Sequence, residues 1–316
     1  MHVATSPSAE VRLALVELPS RPLGPRDVRV RVRAVGVNPV DWKMRGGGVL
    51  RFAHRFVGPG GPLVVGVDFA GEVVEVDPAA DLRVGDRVVG GTDFSRKQLG
   101  SYADEVVVRD DQCARLPDTV SFEHAACLPV PGVTALQSLT KANIATIGKD
   151  ARVLVLGASG GVGLATLQLT RSMGAKAIGV CSTRNVALVE RYGAVAIDYT
   201  KGDPLVAARE HGPYDLIVHA VGTATYALTP CRALLSPHGI VCLVVIRPRD
   251  YPALLDRDVH TVLGRPNRQT LEPLVAALAR GDFEPLIEAR FPLAEAEEAH
   301  RVSRAGKVVG KLLLLP

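Results

Sequence analysis

One stretch, ARVLVLGASGGVGLATLQLTRSMGA (Ala151–Ala175), restricts the architecture more than any other. A short apolar run, Arg152–Leu156, leads into Gly157-Ala158-Ser159-Gly160-Gly161-Val162-Gly163 and then into a helix-length segment. Strand, glycine-rich turn and helix in that order match the dinucleotide-binding fingerprint, with Ala158, Gly160 and Gly163 in the three small-residue places. The chemistry demands small residues there. Gly160 lets the backbone approach a pyrophosphate, Gly163 lets helix and strand pack closely, and the helix opening offers N–H groups and a positive dipole end to the anion. Ser159, Gly160, Gly161 and Val162 are therefore expected to line a nucleotide. A glycine-rich turn can also be merely tight, but here the strand before and the α/β pattern after agree with the fingerprint. Gly157-Ala158-Ser159-Gly160-Gly161 also fits G-x-S-x-G, the elbow of some hydrolases, and the nucleotide turn explains these glycines better.

The next apolar run, AKAIGVC, ends at Ser182-Thr183-Arg184, where an enzyme using NAD places Asp or Glu against the ribose 2′-hydroxyl. No carboxylate stands in GVCSTRN. Two hydroxyls and a guanidinium suit a 2′-phosphate instead, so NADPH is the expected cofactor. The plain alternative for Arg184 is a solvated residue at a helix start.

The 316-residue chain divides into three parts. Residues 1–120 carry short Val-rich runs bounded by Gly, Pro or Asp, among them DVRVRVRAVGV and VVGVDFAGEVVEV, which read as a mostly β domain. Residues 121–264 alternate helix-length segments with continuous apolar runs, the mark of strands buried on both faces in a doubly wound parallel sheet. Residues 265–316 contain an amphipathic helix (Leu271, Leu274, Val275 and Leu278, stopped by Gly281) and a final apolar strand KVVGKLLLLP. That terminal strand needs a sheet, and the first domain is its expected home.

Composition excludes several classes. With 47% hydrophobic and 22% charged residues, a net charge of +4 and no run of five basic residues, neither disorder nor a dedicated nucleic-acid surface is expected. Five scattered cysteines without a C-x-x-C pair point to a reducing compartment. The opening lacks a secretory signal pattern and no apolar run reaches membrane-span length, so a cytoplasmic protein is expected.

Several segments together, GVNPVDWKMRGG, VVGVDFAGEVVEV, GSYADEVVV, LPVPGVTALQSL, GASGGVG, HAVG, FPLAEAEEAH and GKVVGKLLLL, resemble in order the medium-chain dehydrogenase/reductase superfamily. The similarity is to its zinc-independent quinone oxidoreductase and enone (alkenal) reductase branch. The resemblance implies a GroES-like catalytic domain built from both chain ends and a Rossmann domain between them. It implies Asn38 near the nicotinamide, Thr134 beside the cofactor, and further cofactor contacts from Tyr199, Val221, Val245 and Lys311. Asn38 holding a turn and Lys311 on a solvated edge are the structural alternatives. Where zinc-bearing relatives place Cys and Gly-His-Glu, this chain has Val37-Asn38 and Gly66-Val67-Asp68, so no metal is expected.

The implied reaction is NADPH-dependent hydride transfer to an activated C=C bond (an α,β-unsaturated carbonyl) or a quinone. Negative charge then develops on a carbonyl oxygen and must be stabilised. Lys43, in NPVDWK, is the candidate for that task and for proton delivery, with a surface lysine as the alternative. Asp41 orients Asn38 or Lys43, or caps the following turn, and capping is the reading adopted. Trp42 is read as packing, and His54, His124, His219, His238, His260 and His300 receive no role. A non-catalytic NADPH-binding protein and a biosynthetic tailoring or cyclisation step are the competing functions. RPRDYPALLDRD is a short segment that leaves the pocket differently built, Gly47–Pro62 and Thr92–Gly100 are its expected walls, and HTVLGRP is an expected edge strand for a homodimer.

Overall fold

The computed structural model describes residues 1–5, 13–45, 63–96, 98–262 and 264–316. His54 and the whole of the expected Gly47–Pro62 wall lie outside the described residues. In chain order the strands are β1 (His2–Thr5), β2 (Leu13–Val16), β3 (Asp27–Val37), β4 (Asp68–Val76), β5 (Arg87–Gly91), β6 (Glu105–Arg109), β7 (Cys113–Arg115), β8 (Arg152–Leu156), β9 (Lys176–Cys181), β10 (Val195–Asp198), β11 (Tyr214–His219), β12 (Leu235–Leu243), β13 (Val259–Thr261), β14 (Ile287–Pro292) and β15 (Lys311–Leu315). The chain packs as two compact units, one of Met1–Val130, Arg265–Gly281 and Pro285–Pro316, the other of Pro131–Gly264 and Asp282–Glu284.

The first unit is built on a sheet in the order β14-β15-β3-β4-β5-β7, with β6 also paired to β3. Strand β3 shows why: Val28, Val30 and Val32 are buried while Arg31 and Arg33 point to solvent, the period-two pattern of a sheet with one wet face. On the outer face Arg29 and Arg33 reach Glu75 and Glu72 of β4 at 2.7 and 2.8 Å. Inside, those valines join Val65, Phe69, Val88, Tyr102 and Leu312 in one core. The three-residue β7 is too short to carry a periodic signal in the sequence. The helix Arg268–Arg280 begins at Asn267, whose side chain accepts from Thr270 N at 3.0 Å, and stops at Gly281 in the left-handed region.

The second unit holds six parallel strands in the order β10-β9-β8-β11-β12-β13. Counted from β8 this is 3-2-1-4-5-6, the doubly wound order with its switch point between β8 and β11. The β8 residues Val153–Leu156 have no exposed surface, as strands covered on both faces require. Leu154, Leu156, Ile178, Val180, Ile217, Val241 and Leu243 form this unit's core. Among the described residues no helix is long and apolar enough to cross a membrane.

Candidate active site

In the second unit β8 ends at Leu156, the next residue, Gly157, has a φ of +93° that needs a glycine, and the chain enters the helix Gly161–Ser172 through Gly160. Ala158 N donates to Val180 O of β9 at 3.0 Å, which ties the turn to the neighbouring strand. A Cβ on Gly163 would lie 2.3 Å from Gly157 O, so helix and turn touch backbone to backbone. No side chain caps the helix at Gly160, and Ser159, Gly160, Gly161 and Val162 are half-buried. The first-turn N–H groups therefore lack a side-chain acceptor, a donor set suited to the pyrophosphate of a dinucleotide. Val221 packs at this turn, 2.7 Å from where a Gly157 Cβ would stand, and Val245 adjoins Gly222 in the same way. Thr134 is buried in the helix Pro129–Lys141, its carbonyl accepting from Ser138 Oγ at 2.8 Å.

At the end of β9, Ser182 is half-buried while Thr183 and Arg184 are exposed. Thr183 Oγ1 lies 2.6 Å from Thr200 Oγ1, which in turn donates to Asp198 Oδ1 at 2.7 Å. Asp198 pairs in register with Cys181, so the adjacent strand brings a carboxylate to the place where β9 itself has none. Burial pushes the Asp198 carboxyl up, but bonds from Thr183 and Thr200 outweigh it and hold the group below its usual range. Tyr199, half exposed, donates its N–H to Cys181 O at 3.0 Å. Asp198 was missed by reading only the end of β9; its signal is its place immediately before Tyr199 in IDYT.

In the first unit Asn38, Asp68 and Lys311 meet because β3 lies between β4 and β15 and runs antiparallel to both. Asn38 follows the last residue of β3, while Asp68 and Lys311 open β4 and β15, so all three fall at one end of three neighbouring strands. Lys311 Nζ, 6% exposed, reaches Val37 O at 2.9 Å, Asn38 Oδ1 at 2.7 Å and Asp68 Oδ2 at 3.4 Å. Three acceptors match the three hydrogens of an ammonium. Asn38 Nδ2 donates to Gly36 O at 3.2 Å and Asp68 Oδ2 at 2.9 Å, and Asp68 Oδ1 accepts from Val130 N at 2.9 Å. The amide orientation of Asn38 is thus dictated by its neighbours. Burial pushes the Asp68 carboxyl up, opposed by Lys311 and by the Asn38 and Val130 donors.

Asp41, fully buried, accepts the Asn38 backbone N–H at 2.7 Å and the Tyr102 hydroxyl at 3.2 Å. Its turn-closing role and its grip on Asn38 are therefore one interaction. Burial pushes its carboxyl up to about 7, with Asp68 adding to the rise and the Asn38 N–H, Lys311 and Tyr102 opposing it. Lys43 Nζ sits over the Trp42 ring, 5.5 Å from its centroid, and Trp42 Nε1 donates to Ser303 Oγ at 3.1 Å. Of the residues expected at a site, Asn38, Lys43 and Lys311 belong to the first unit. Thr134, Ser159–Val162, Ser182–Arg184, Tyr199, Val221 and Val245 belong to the second.

A mostly β unit with a terminal strand returned from the chain's end, and a doubly wound unit with an uncapped glycine turn, define a nucleotide-dependent dehydrogenase. A family model described as alcohol dehydrogenase GroES-like domain matches residues 24–118, and one described as zinc-binding dehydrogenase matches residues 192–314. The chain is 30% identical to the chloroplast envelope quinone oxidoreductase homolog of Arabidopsis thaliana, over 92% of this chain and 90% of that protein. It is 36% identical to the trans-enoyl reductase pgmF of Aspergillus terreus over 64% of this chain and 57% of that one. The quinone oxidoreductase from Coxiella burnetii superposes with a TM-score of 0.87 at 27% identity, covering 100% of this chain and 98% of that one. The chain belongs to the medium-chain dehydrogenase/reductase superfamily, in its quinone oxidoreductase branch, a family of nicotinamide-dependent enzymes.

The zinc in the second model's description does not fit the residues present here. A catalytic zinc takes three protein ligands with N or S donors usually among them. The Asn38 and Asp68 oxygens already accept from the Lys311 ammonium, and no group of three His, Cys, Asp or Glu side chains suited to a metal occurs among the described residues.

Proposed function

We propose that this chain reduces a polarised C=C bond or a quinone with NADPH and without a metal. The observation that carries the reading is the uncapped helix opening at Gly160–Gly161 in a doubly wound sheet of this family. Bound NADPH would supply the hydride. Gly161 and Val162 would hold the pyrophosphate through backbone N–H groups, with Gly160 allowing its close approach and Ser159, Val221 and Val245 lining the turn. Ser182, Thr183 and Arg184 would receive the 2′-phosphate, and Tyr199 and Thr134 would lie along the cofactor. Asn38 would face the nicotinamide with Lys311 fixing its amide, and Lys43 would stabilise the oxyanion and support protonation of the product. The reading includes a cytoplasmic setting and a homodimer joined through β13, a terminal strand of its sheet; sedimentation as a monomer at micromolar concentration would dismiss the dimer.

A second cofactor reading rests on Asp198. A carboxylate bonded to Thr200, next to Thr183, favours accepting from a ribose 2′-hydroxyl and repels a phosphate, which favours NADH. Replacing Arg184 by Ala separates the two. The NADPH reading expects a loss of roughly tenfold or more in NADPH affinity, the worth of a charge-assisted bond, with NADH little changed. Equal effects on both nucleotides would remove it. The activity itself is tested by following NADPH oxidation against a panel of enones, enals and quinones. Tight nucleotide binding with no oxidation of any of them would leave a binding protein.

A further inference from the structure

A line of buried side chains runs from the surface to Asn38 through three separate pieces of the first unit. Arg45, 3% exposed at the end of the helix Pro39–Arg45, grips Glu297 with Nη2 at 3.0 and 2.7 Å. Its Nη1 lies 3.0 Å from His300 Nδ1, on the helix Ala296–Arg304. His300 Nε2 is 3.0 Å from Tyr102 Oη, and Tyr102 Oη is 3.2 Å from Asp41 Oδ2. That same Asp41 oxygen is 2.7 Å from the Asn38 backbone nitrogen. His300 and Tyr102 have no exposed surface.

The direction of every bond in this line follows from its outer end. A guanidinium has only donors, so His300 Nδ1 must accept from Arg45. A neutral imidazole then carries its single proton on Nε2, which donates to Tyr102 Oη. Tyr102 has one hydrogen, and with its oxygen accepting from His300 that hydrogen goes to Asp41. Reversing the line would need a proton on Asp41 Oδ2, against the Asn38 N–H that already points at that atom. Among the described residues Oδ1 of Asp41 has no partner, so a proton taken up by this carboxyl belongs there and leaves the line intact.

The charges around the line agree with this direction. His300 is faced by Arg45, Glu297 and Arg304, and burial followed by Arg45 pushes its imidazole down to about 3. Asp41 is faced by Asp68, Lys311 and Tyr102, and Tyr102 by Asp41, Asp68 and Arg45. Burial, then Asp41, pushes the Tyr102 hydroxyl well above its ordinary range, so Tyr102 keeps its proton and serves as a donor.

We propose that Arg45, His300 and Tyr102 form a one-way hydrogen-bond line that fixes His300 as the Nε2–H tautomer and keeps Asp41 accepting from the Asn38 backbone N–H. Tyr102 and His300 are then positioning residues for Asn38. Their consequence for turnover rests on the placement of Asn38 at the nicotinamide under the proposed function; the line itself does not.

Nitrogen-15 spectra of the histidine rings in the whole protein, with His300→Gln to assign the signal, test the direction. The expected result is a protonated Nε2 and an unprotonated Nδ1 between about pH 7.5 and 5. An Nδ1–H tautomer, or an imidazolium by about pH 6, would overturn the proposal. Tyr102→Phe removes only the oxygen, and amide exchange at Asn38 is expected to quicken by about tenfold, the worth of one lost bond in the line. Unchanged exchange would overturn the positioning role. Turnover of a quinone should fall by a similar factor with NADPH affinity held within about threefold. Quickened exchange with unchanged turnover would uphold the line and refute instead the placement of Asn38 at the cofactor.

Discussion

Replacing His300 by Gln should alter how the first unit's stability depends on pH, by about 2 kcal/mol between roughly pH 7.5 and 5. Burial, aided by Arg45, lowers the folded imidazole from 6.5 to about 3. As pH falls below 6.5 the unfolded chain takes up the proton first, so stability is full above 6.5 and is lost as pH drops toward 3. At pH 5 the unfolded imidazole is favoured about thirtyfold, or about 2 kcal/mol. Asp41 has the opposite sign. Burial raises its carboxyl from 3.8 to about 7, so the folded state binds the proton first, and stability grows by about 2 to 3 kcal/mol over the same descent. Both side chains are fully buried, so solvent screening takes little from either figure.

The wild-type chain therefore carries two opposed contributions joined through Tyr102, and their sum is nearly flat over this range. Removing one exposes the other. On acidification to about pH 5, His300→Gln should gain about 2 kcal/mol relative to wild type, and Asp41→Asn should lose a similar amount. Trp42 is the only tryptophan of the chain and donates to Ser303 on the helix that carries His300, so its emission reports unfolding of this unit. Denaturant titrations at three pH values, read by that emission, give the differences directly. Stability curves for wild type and His300→Gln that run parallel in pH within about 0.5 kcal/mol would refute a neutral buried imidazole.

Gly163→Ala should weaken nucleotide binding at least tenfold in a fluorescence titration, because the new Cβ would stand 2.3 Å from Gly157 O and 2.6 Å from Ala158 O, and backbone cannot yield as a side chain can. Unchanged affinity would mean that the helix and turn do not need this contact. Lys311→Met should cost about 3–5 kcal/mol in denaturant titration by leaving the Asp68 carboxylate buried without its cation, and adding Asp68→Asn should recover much of that loss. A Lys311→Met chain within about 1 kcal/mol of wild type would show that the pair is not coupled as its geometry requires.

The fold was readable wherever a local pattern carries the structure. The β3 segment alternates Val with Arg because one face is wet, and Val153–Leu156 is apolar throughout because both faces are covered. The glycine turn was readable for the same reason: Gly157 and Gly163 are demanded by a local φ and a local contact. Asp198 was not, since the reading followed the end of β9 alone. The carboxylate arrives from β10, whose parallel pairing sets it opposite Cys181, and only pairing across the sheet reveals that.

The polar cluster of the first unit has the same cause in stronger form. Asp68 and Lys311 are separated by 243 residues, and nothing in either segment alone distinguishes a carboxylate at a strand start from a solvated one. What joins them is the position of β3 between β4 and β15, which sets the ends of three strands side by side and buries whatever stands there. Burial then dictates the chemistry. A carboxylate left alone in that place would cost several kcal/mol, and two ways to keep it charged are a metal with its ligands or a side-chain cation with matched acceptors. Lys311 takes the second course, with three acceptors for three hydrogens, and Asn38 supplies the amide that joins it to Asp68. Asp68, Asn38 and the lysine that closes the cluster are therefore parts of one arrangement, and the lysine should tolerate loss only when Asp68 is neutralised with it.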